Sequence, residues 1–351
     1  MDNYRKALEL LAQGRPFALA SVVRSNGSTP QKAGAKALFE PGGPIHGTLG
    51  GGCLEAEARR RALQSLDNGG RLLFDLSLDD DYGWDDGLIC GGQVRVAVDP
   101  DVTRNIPAYS AAIESLARRE RGVLITPVAL NNEGVGEARW IAMANFDDEA
   151  NADQLRQVLD NEKPLHIKSE DGELFVEPVI PSPHLIIAGG GHVGQAVAYQ
   201  ADRLGFELTI IDDRPMYSDP ARFPASAETI CGPIAEEVAN QTFTPDTYML
   251  IVTRGHRNDG VVLKACIHEP AAYIGLIGSR RKILLIQKGF VSDGIATEEQ
   301  FKRVFAPVGL DIGALSVEEI ATSITAQLIA IRRNKTGQTT ENLTEFANPK
   351  T

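Results

Sequence analysis

A cysteine directly after three glycines is the first feature whose residue types could do chemistry. Gly50, Gly51 and Gly52 separate a predicted short strand at 45–48 from a predicted helix, so that Cys53 falls in or just before the first helical turn. Unsatisfied amides at a helix N-terminus stabilise a thiolate, which is a nucleophile and a ligand for soft metals or sulfur. The glycines allow a bulky planar or phosphorylated ligand to approach the backbone. We therefore predict a ligand site at this turn.

Two more residues of the first half are candidates for the same chemistry. Glu55 can bond to backbone amides near the first helical turn or accept a proton, and the first role is the commoner one. Cys90 also has glycine neighbours, which again indicate close approach of a ligand. The alternative for either Cys53 or Cys90 is an inert position in the core. Cys231 and Cys266 stand among apolar residues and are expected to be structural.

A glycine pattern typical of dinucleotide-binding proteins lies in the second half. Gly189, Gly191 and Gly194 form a G-x-G-x-x-G motif, which includes His192 and directly follows an apolar strand. Such glycines permit a tight turn, approach of a pyrophosphate, and close packing of helix on strand. The next predicted strand ends at Asp212, placed to accept a hydrogen bond from a ribose hydroxyl. The alternative is a Rossmann-shaped domain that no longer binds a nucleotide.

A polar loop follows a later strand of the same half. It contains His256 and leads into a helix that is expected to begin near Gly260, with Asp259 as its N-cap. His256 has either a direct chemical role or an ordinary place in the loop, and the sequence leaves both interpretations open.

Two further segments are expected at the same edge of the sheet. Gly278, Ser279 and Arg280 open a helix whose first turn is cationic, which indicates either an anion site or a solvated basic turn. Asp311 stands between glycines ahead of a helix that Ser316 is predicted to cap. The cap explains Ser316 and leaves Asp311 as a candidate ligand contact.

The elements that position these residues indicate an α/β protein of two domains. Prolines at 181 and 183 favour an extended connection, and we predict domains at 1–180 and 181–333 followed by a polar tail at 334–351. Short apolar runs alternate with helix-length segments after the boundary, which predicts a doubly wound parallel sheet. Before it, strands and helices alternate less regularly, with a long helix predicted at 53–66 and no assignable topology.

Composition excludes several classes of protein. The formal net charge is -12 and basic residues are scattered, so nucleic acid is not an expected partner. The N-terminal residues do not resemble a signal peptide, and no apolar stretch approaches the roughly 18 residues of a membrane span. We expect a cytoplasmic protein that does not bind membranes.

Six motifs in order resemble the XdhC/CoxI family, accessory factors for xanthine dehydrogenase and related molybdenum hydroxylases. They are G-T-L-G-G-G-C-L-E, C-G-G, I-I-A-G-G-G-H-V-G, T-R-G-H-R-N-D, I-G-L-I-G-S-R-R-K and G-L-D-I-G-A, and the resemblance runs from roughly residue 5 to residue 333. It implies an N-terminal XdhC/CoxI-like α/β domain and a C-terminal Rossmann-like domain.

The resemblance also implies a function. Family members bind the molybdenum cofactor (molybdopterin, a phosphorylated pterin dithiolene that holds molybdenum), assist its sulfuration with a cysteine desulfurase, and insert it into the hydroxylase. Cys53 and Cys90 would contact molybdenum or sulfur. Gly189, Gly191, Gly194 and Asp212 would hold the phosphate or nucleotide portion of the cofactor, or NAD(P).

Three functions therefore stay open at the level of sequence. The first is a cofactor chaperone with little or no turnover of its own. The second is an NAD(P)-dependent oxidoreductase whose first half is the substrate domain, and the third is a redox-sensing regulator, for which a DNA-binding signature is missing. A homodimer is expected from the frequency of symmetric dimers, and a shared cleft would bring Cys53 near the carboxyl edge of the second domain's sheet.

Overall fold

The chain divides into two units, Met1–Pro181 and Ser182–Thr351, which meet within the proline-rich connection. A computed structural model describes residues 1–77, 92–129, 135–169 and 172–333. Cys90 and the predicted tail at 334–351 lie outside these described residues. None of the helices in the described part of the chain is both long enough and apolar enough to cross a membrane.

The described residues of the first unit form helices and two antiparallel sheets. The helices are α1 (Asp2–Ala12), α2 (Gly52–Asn68), α3 (Ile106–Ala117) and α4 (Ala152–Asn161). The strands are β1 (Ala18–Asn26), β2 (Lys36–Phe39), β3 (Ile45–Gly47), β4 (Leu72–Ser77), β5 (Gln93–Asp99), β6 (Gly122–Ala129), β7 (Arg139–Ala142), β8 (Leu165–Ser169) and β9 (Gly172–Val179). One sheet has the order β3-β2-β1-β5-β4 and the other β7-β6-β9-β8.

Helix α2 lies on the first sheet through a stripe of small and apolar side chains. Leu54, Ala58 and Ala62 recur every four residues, are fully buried, and belong to one cluster with side chains of β1 and β5. The alanines allow the helix to approach the sheet closely, and full burial of Leu54 contributes about 2 kcal/mol. This packing fixes the axis of α2 and therefore the position of the glycine turn at its start.

The second unit is a doubly wound parallel sheet, which confirms the fold predicted for this half. Its strands are β10 (His184–Ala188), β11 (Glu207–Asp212), β12 (Glu228–Cys231), β13 (Thr247–Ile251), β14 (Tyr273–Leu276) and β15 (Val304–Phe305). Its helices are α5 (His192–Arg203), α6 (Ile234–Ala239), α7 (His256–Cys266), α8 (Arg280–Ser292), α9 (Glu298–Phe301) and α10 (Val317–Arg332). All paired strands are parallel, in the order β12-β11-β10-β13-β14-β15. Relabelled from the first strand of the unit, this is the Rossmann order 3-2-1-4-5-6.

The central position of β10 in this sheet explains why its sequence is continuously apolar. Residues Leu185, Ile186, Ile187 and Ala188 of β10 are all fully buried because helices cover both faces of the sheet. The crevice beyond the carboxyl end of β10 lies where the strand order reverses, between β10 and β13, and this is where such sheets bind ligands.

Two local expectations were wrong. Helix α7 begins at His256 with Gly255 as N-cap, so Asp259 lies within the helix and is fully buried. Cys231 is exposed at the end of β12, because that strand forms the edge of the sheet. The predicted cap of α10 is confirmed, since Ser316 and Glu319 form a reciprocal capping box.

Candidate functional site

The glycine turn of the first unit depends on backbone conformations that favour glycine. Gly50, Gly51 and Gly52 have φ angles of 106°, 75° and 59°, a region that L-residues with a side chain rarely adopt. Gly51 is the N-cap of α2, and Cys53 is the second residue of the helix and is exposed as a free thiol. The turn therefore presents Cys53 to solvent beside the amides of the helix N-terminus.

The carboxylate of Glu55 holds this turn together. Its Oε2 accepts hydrogen bonds from Thr48 Oγ1 at 2.8 Å, from the backbone N–H of Leu49 at 3.0 Å, and from that of Gly51 at 3.4 Å. The Thr48 hydroxyl in turn accepts from the N–H of Gly50 at 2.9 Å. Glu55 thus bonds to the backbone of the turn, while its role as a proton acceptor stays a prediction.

The three glycines of the turn differ in the space around them. A Cβ atom at Gly50 would lie 2.5 Å from the side chain of Pro30, whereas nothing lies within 4 Å of one at Gly51 or Gly52. An open depression of about 440 Å³ borders the start of α2, which is within the usual size of ligand pockets. Its lining residues are Ile45, Gly52, Glu55, Ala56, Arg59, Arg60 and Leu63. The turn therefore has room for a ligand.

The second predicted thiol, Cys90, has no described position relative to Cys53. Cys90 lies outside the described residues, so its contact with molybdenum or sulfur stays a prediction. Among the residues that the structure does describe, no group of three or more His, Cys, Asp or Glu side chains has the geometry to hold a metal ion.

The glycine turn of the second unit is packed against backbone. A Cβ atom at Gly189 would lie 2.5 Å from the carbonyl oxygen of Val252, and one at Gly194 would lie 2.0 Å from that of Gly189. Gly191, the N-cap of α5, has a φ of -66° and nothing within 4 Å of such an atom. Internal packing therefore requires the first and third glycines of the motif, and the second leaves space at the helix N-terminus for a ligand. His192 follows it as an exposed residue.

Asp212 at the end of β11 is fully buried and is bonded to the protein itself. It accepts hydrogen bonds from the N–H of Gly190 at 2.9 Å, the N–H of Arg214 at 3.1 Å, and Nε and Nη2 of Arg214 at 2.8 Å each. Burial opposes ionisation, but the bonds from Arg214 and the backbone outweigh it and lower the pKa of Asp212. Contact between Asp212 and a ribose hydroxyl stays a prediction.

The segment after Asp212 is fastened to the glycine turn. Arg222 donates from Nη1 to the carbonyl oxygen of Gly190 at 3.0 Å and from Nη2 to Gln195 Oε1 at 3.1 Å. The centroid of the Tyr217 ring lies 3.7 Å from the guanidinium carbon of Arg214 and 4.8 Å from that of Arg222. These contacts form a cationic and aromatic cluster beside the motif.

The loops after β13 and β14 are joined by a buried carboxylate. Asp259 accepts hydrogen bonds from the Thr253 hydroxyl and from the Lys282 ammonium group, which also donates to the carbonyl oxygen of Ile277 at 3.2 Å. The predicted cationic turn therefore contributes Lys282 to internal structure. The side chain of His256 lies outside the described part of the chain, so its chemical role stays a prediction.

The remaining predicted contacts are placed as follows. Ser279 caps α8 by accepting from the N–H of Lys282 at 3.3 Å, and Arg280 is exposed beside it. Gly278 would bring a Cβ atom to 2.8 Å from the flexible Lys282 side chain, and Asp311 is exposed in the loop before α10. The structure thus gives Ser279 an internal role and leaves Arg280 and Asp311 accessible to a ligand.

Sequence reasoning missed the residues that surround Asp212. Arg214 stands two positions after it in D-D-R, so a signal was present, but only the fold shows that the guanidinium returns to the carboxylate. Arg222 gives no local signal, because its partners Gly190 and Gln195 lie on the glycine turn and on α5.

Comparison with known proteins bears on both units. A family model described as the XdhC and CoxI family matches residues 10–76, and one described as the XdhC Rossmann domain matches residues 185–328. A crystal structure described as a xanthine dehydrogenase from Bacillus halodurans superposes with a TM-score of 0.72 at 24% identity, covering 97% of this chain and 98% of that one. That similarity supports the fold of the chain.

Three relatives align over nearly the whole chain. A probable xanthine dehydrogenase subunit of Bacillus subtilis (strain 168) is 27% identical over 95% of this chain and 98% of its own length. The uncharacterized protein YqeB of Escherichia coli (strain K12) is 26% identical over 96% of this chain, which spans 47% of that protein. The molybdenum cofactor insertion chaperone PaoD of Escherichia coli (strain K12) is 23% identical over 93% of this chain and 87% of its own length.

Proposed function

This chain belongs to the XdhC and CoxI family, and on that premise we propose that it is an accessory protein for maturation of a molybdenum enzyme. It binds the molybdenum cofactor and inserts it into a molybdenum hydroxylase of the xanthine dehydrogenase type. The name of the relative PaoD supports the chaperone role, and that of the Bacillus subtilis relative supports the class of client.

The exposed thiol of Cys53 is the observation that carries this proposal. The thiolate form is a strong ligand for soft metals and sulfur, and helix N-terminal amides favour it. Glu55 fixes the backbone of the turn, and Gly51 and Gly52 leave room for a flat ligand. Cys53 would hold the molybdenum end of the cofactor, and Cys90 is the second candidate contact.

The second unit would bind an anionic part of the cargo. Gly191 leaves open space at the N-terminus of α5, where unpaired N–H groups attract phosphate. The cofactor carries a phosphate and, in its dinucleotide form, a nucleotide, so either portion suits this turn.

A cysteine desulfurase is the proposed partner for sulfuration. The protein would shelter the cofactor during sulfuration, for which the desulfurase would supply the sulfur, and then release it to the hydroxylase. We propose that the carrier works in the cytoplasm as a homodimer and has little turnover of its own.

Transfer of cofactor tests this function. The purified, cofactor-loaded protein is incubated with an apo-hydroxylase, with and without a cysteine desulfurase and cysteine, and hydroxylase activity is measured. We expect activation that requires the desulfurase and is lost in Cys53→Ser but kept in the matched control Cys231→Ser, whose thiol is also exposed. Absence of activation by loaded wild-type protein would contradict the proposal.

The strand order 3-2-1-4-5-6 with a glycine turn after its first strand favours one other candidate, an NAD(P)-dependent oxidoreductase. Its distinguishing property is turnover. Oxidation of NADH or NADPH with small carbonyl compounds, followed by absorbance, would support that candidate, whereas a cofactor chaperone gives no such oxidation.

A further inference from the structure

The residues at the end of β11 determine which adenosine-type ligand can bind in the Rossmann crevice. In the strand order found here, the ribose of a bound dinucleotide lies beside the end of the second strand, which in this unit is β11. A carboxylate at that point favours a free ribose hydroxyl, and an arginine favours a phosphate in its place. Both residue types are present, as Asp212 and Arg214.

Asp212 has no acceptor capacity left for a ribose. An ionised carboxylate has about four lone-pair sites. Gly190 contributes one donor to them and Arg214 contributes its N–H, Nε and Nη2, so four donors meet the carboxylate. The side chain of Asp212 is also only 1% exposed. A ribose hydroxyl would have to displace a charge-assisted bond inside the protein.

Arg214, in contrast, remains accessible. Its side chain is 26% exposed, and among the described residues none accepts a hydrogen bond from Nη1. Asp213 lies 3.7 Å from Nε, but its side chain is 40% exposed and solvent screens its charge. Arg214 therefore offers a guanidinium edge at the position where a ribose substituent would lie.

The guanidinium is held in place before any ligand arrives. Asp212 binds it through two nitrogens, and the Tyr217 ring supports it at 3.7 Å. Arg222 fastens the same segment to Gly190 and Gln195. A pre-positioned fork loses little side-chain freedom when it binds phosphate.

We infer that the Rossmann crevice takes a ligand with a phosphomonoester beside the end of β11, and that Arg214 is the residue that selects it. Two ligands carry this group: an NADP-type nucleotide, through its 2′-phosphate, and the pterin cofactor, through its own phosphate. The inference deepens the proposed function and, where the ligand is the pterin cofactor, rests on it, because it names the residue of the second unit that selects the phosphomonoester; it does not involve Cys53.

The test compares NADPH with NADH, which differ only in the 2′-phosphate, by calorimetric titration of the full chain. We expect NADPH to bind at least about tenfold more tightly, as one charge-assisted contact implies. The double variant Asp212→Asn/Arg214→Gln removes the cation without leaving a buried charge unpaired. In this variant the ratio of NADPH affinity to NADH affinity should fall about tenfold.

Arg203→Gln is the control, because Arg203 lies in the last turn of α5, at the opposite edge of the sheet. A parallel titration uses cofactor released from a molybdenum hydroxylase, followed by pterin fluorescence. If neither dinucleotide binds but the double variant loses about tenfold in cofactor affinity, the phosphomonoester belongs to the pterin. Two results would overturn the inference. One is that the wild-type chain binds NADH and NADPH with equal affinity. The other is that the double variant binds both NADPH and the cofactor as tightly as the wild type does. Molybdenum retention in Cys53→Ser reports separately on the proposed function.

Discussion

The glycine turn before α2 and the glycine turn before α5 both connect a strand to a helix, and in each a carboxylate accepts hydrogen bonds from backbone N–H groups. Glu55 does so for Leu49 and Gly51, and Asp212 does so for Gly190. The turns differ in conformation and packing. The first has three successive glycines with positive φ, whereas the second is enclosed by the backbone of neighbouring loops.

This difference separates two ways of using glycine. In the first turn glycine provides a left-handed path that brings Cys53 to the surface. In the second, Gly189 and Gly194 provide contact between main chains, and Gly191 alone leaves space for a ligand. A turn that presents a thiol and a turn that leaves space at Gly191 therefore arise from similar sequences.

Substitution of glycines in the second turn should give the largest effect. Gly194→Ala would place a methyl group 2.0 Å from the carbonyl oxygen of Gly189, so α5 must move, and we expect a loss of about 3 kcal/mol in the free energy of unfolding. Gly191→Ala meets nothing and should change that energy by less than about 0.5 kcal/mol, while weakening ligand binding. Urea unfolding of both variants measures the contrast, and equal losses would refute the division of roles.

Removal of the carboxylate from the first turn should have an intermediate effect. Glu55→Ala leaves the N–H groups of Leu49 and Gly51 without their acceptor, and we expect a loss of about 1–2 kcal/mol in the free energy of unfolding. Glu55→Gln retains an amide oxygen and should lose less. Glu57→Ala, on the same helix, removes ion pairs with Arg60 and Arg61 but no hydrogen bond to the turn, and is the control. If Glu55→Ala unfolds like Glu57→Ala, the carboxylate does not hold the turn.

Acid should affect the second turn by a smaller amount. The pKa of Asp212 is lowered from its ordinary value of 3.8, so the unfolded chain binds a proton more readily than the folded one. The stability that Asp212 contributes is then present above pH 3.8 and is lost as pH falls through the folded pKa. We expect urea unfolding below pH 4 to show a shallower acid dependence in Asp212→Asn/Arg214→Gln than in wild type. Identical slopes would show that the carboxylate is not held ionised.

The second unit could be predicted from sequence and the first only in part. Strands β10, β11, β13 and β14 are local apolar runs between helices, and their parallel pairing follows from that alternation. In the first unit β1 pairs with β5, from Leu19 with Asp99 to Asn26 with Gln93, and no local pattern encodes so distant a partner. Strands β8 and β9 also went unpredicted, although they pair with each other as a local hairpin, from Leu165 with Val176 to Ser169 with Gly172.

The contrast between local and long-range patterns also applies to the residues of the candidate sites. Cys53, Gly189, Gly191 and Gly194 were identifiable because each belongs to a continuous motif next to a helix. The sequence did not indicate that the acceptor sites of the Asp212 carboxylate are occupied, because it does not reveal that the Arg214 side chain folds back onto that carboxylate.

Molybdenum and pterin content tests the central claim most directly. The chain is expressed together with the cofactor pathway as wild type, Cys53→Ser, Cys90→Ser and the control Cys231→Ser, and each purified protein is assayed for metal and for pterin fluorescence after oxidation. We predict stoichiometric cofactor in wild type and Cys231→Ser, and at least about tenfold less in Cys53→Ser with unchanged unfolding, as expected for loss of a metal or sulfur ligand. Folded wild type without cofactor, or full retention in Cys53→Ser, would contradict the account.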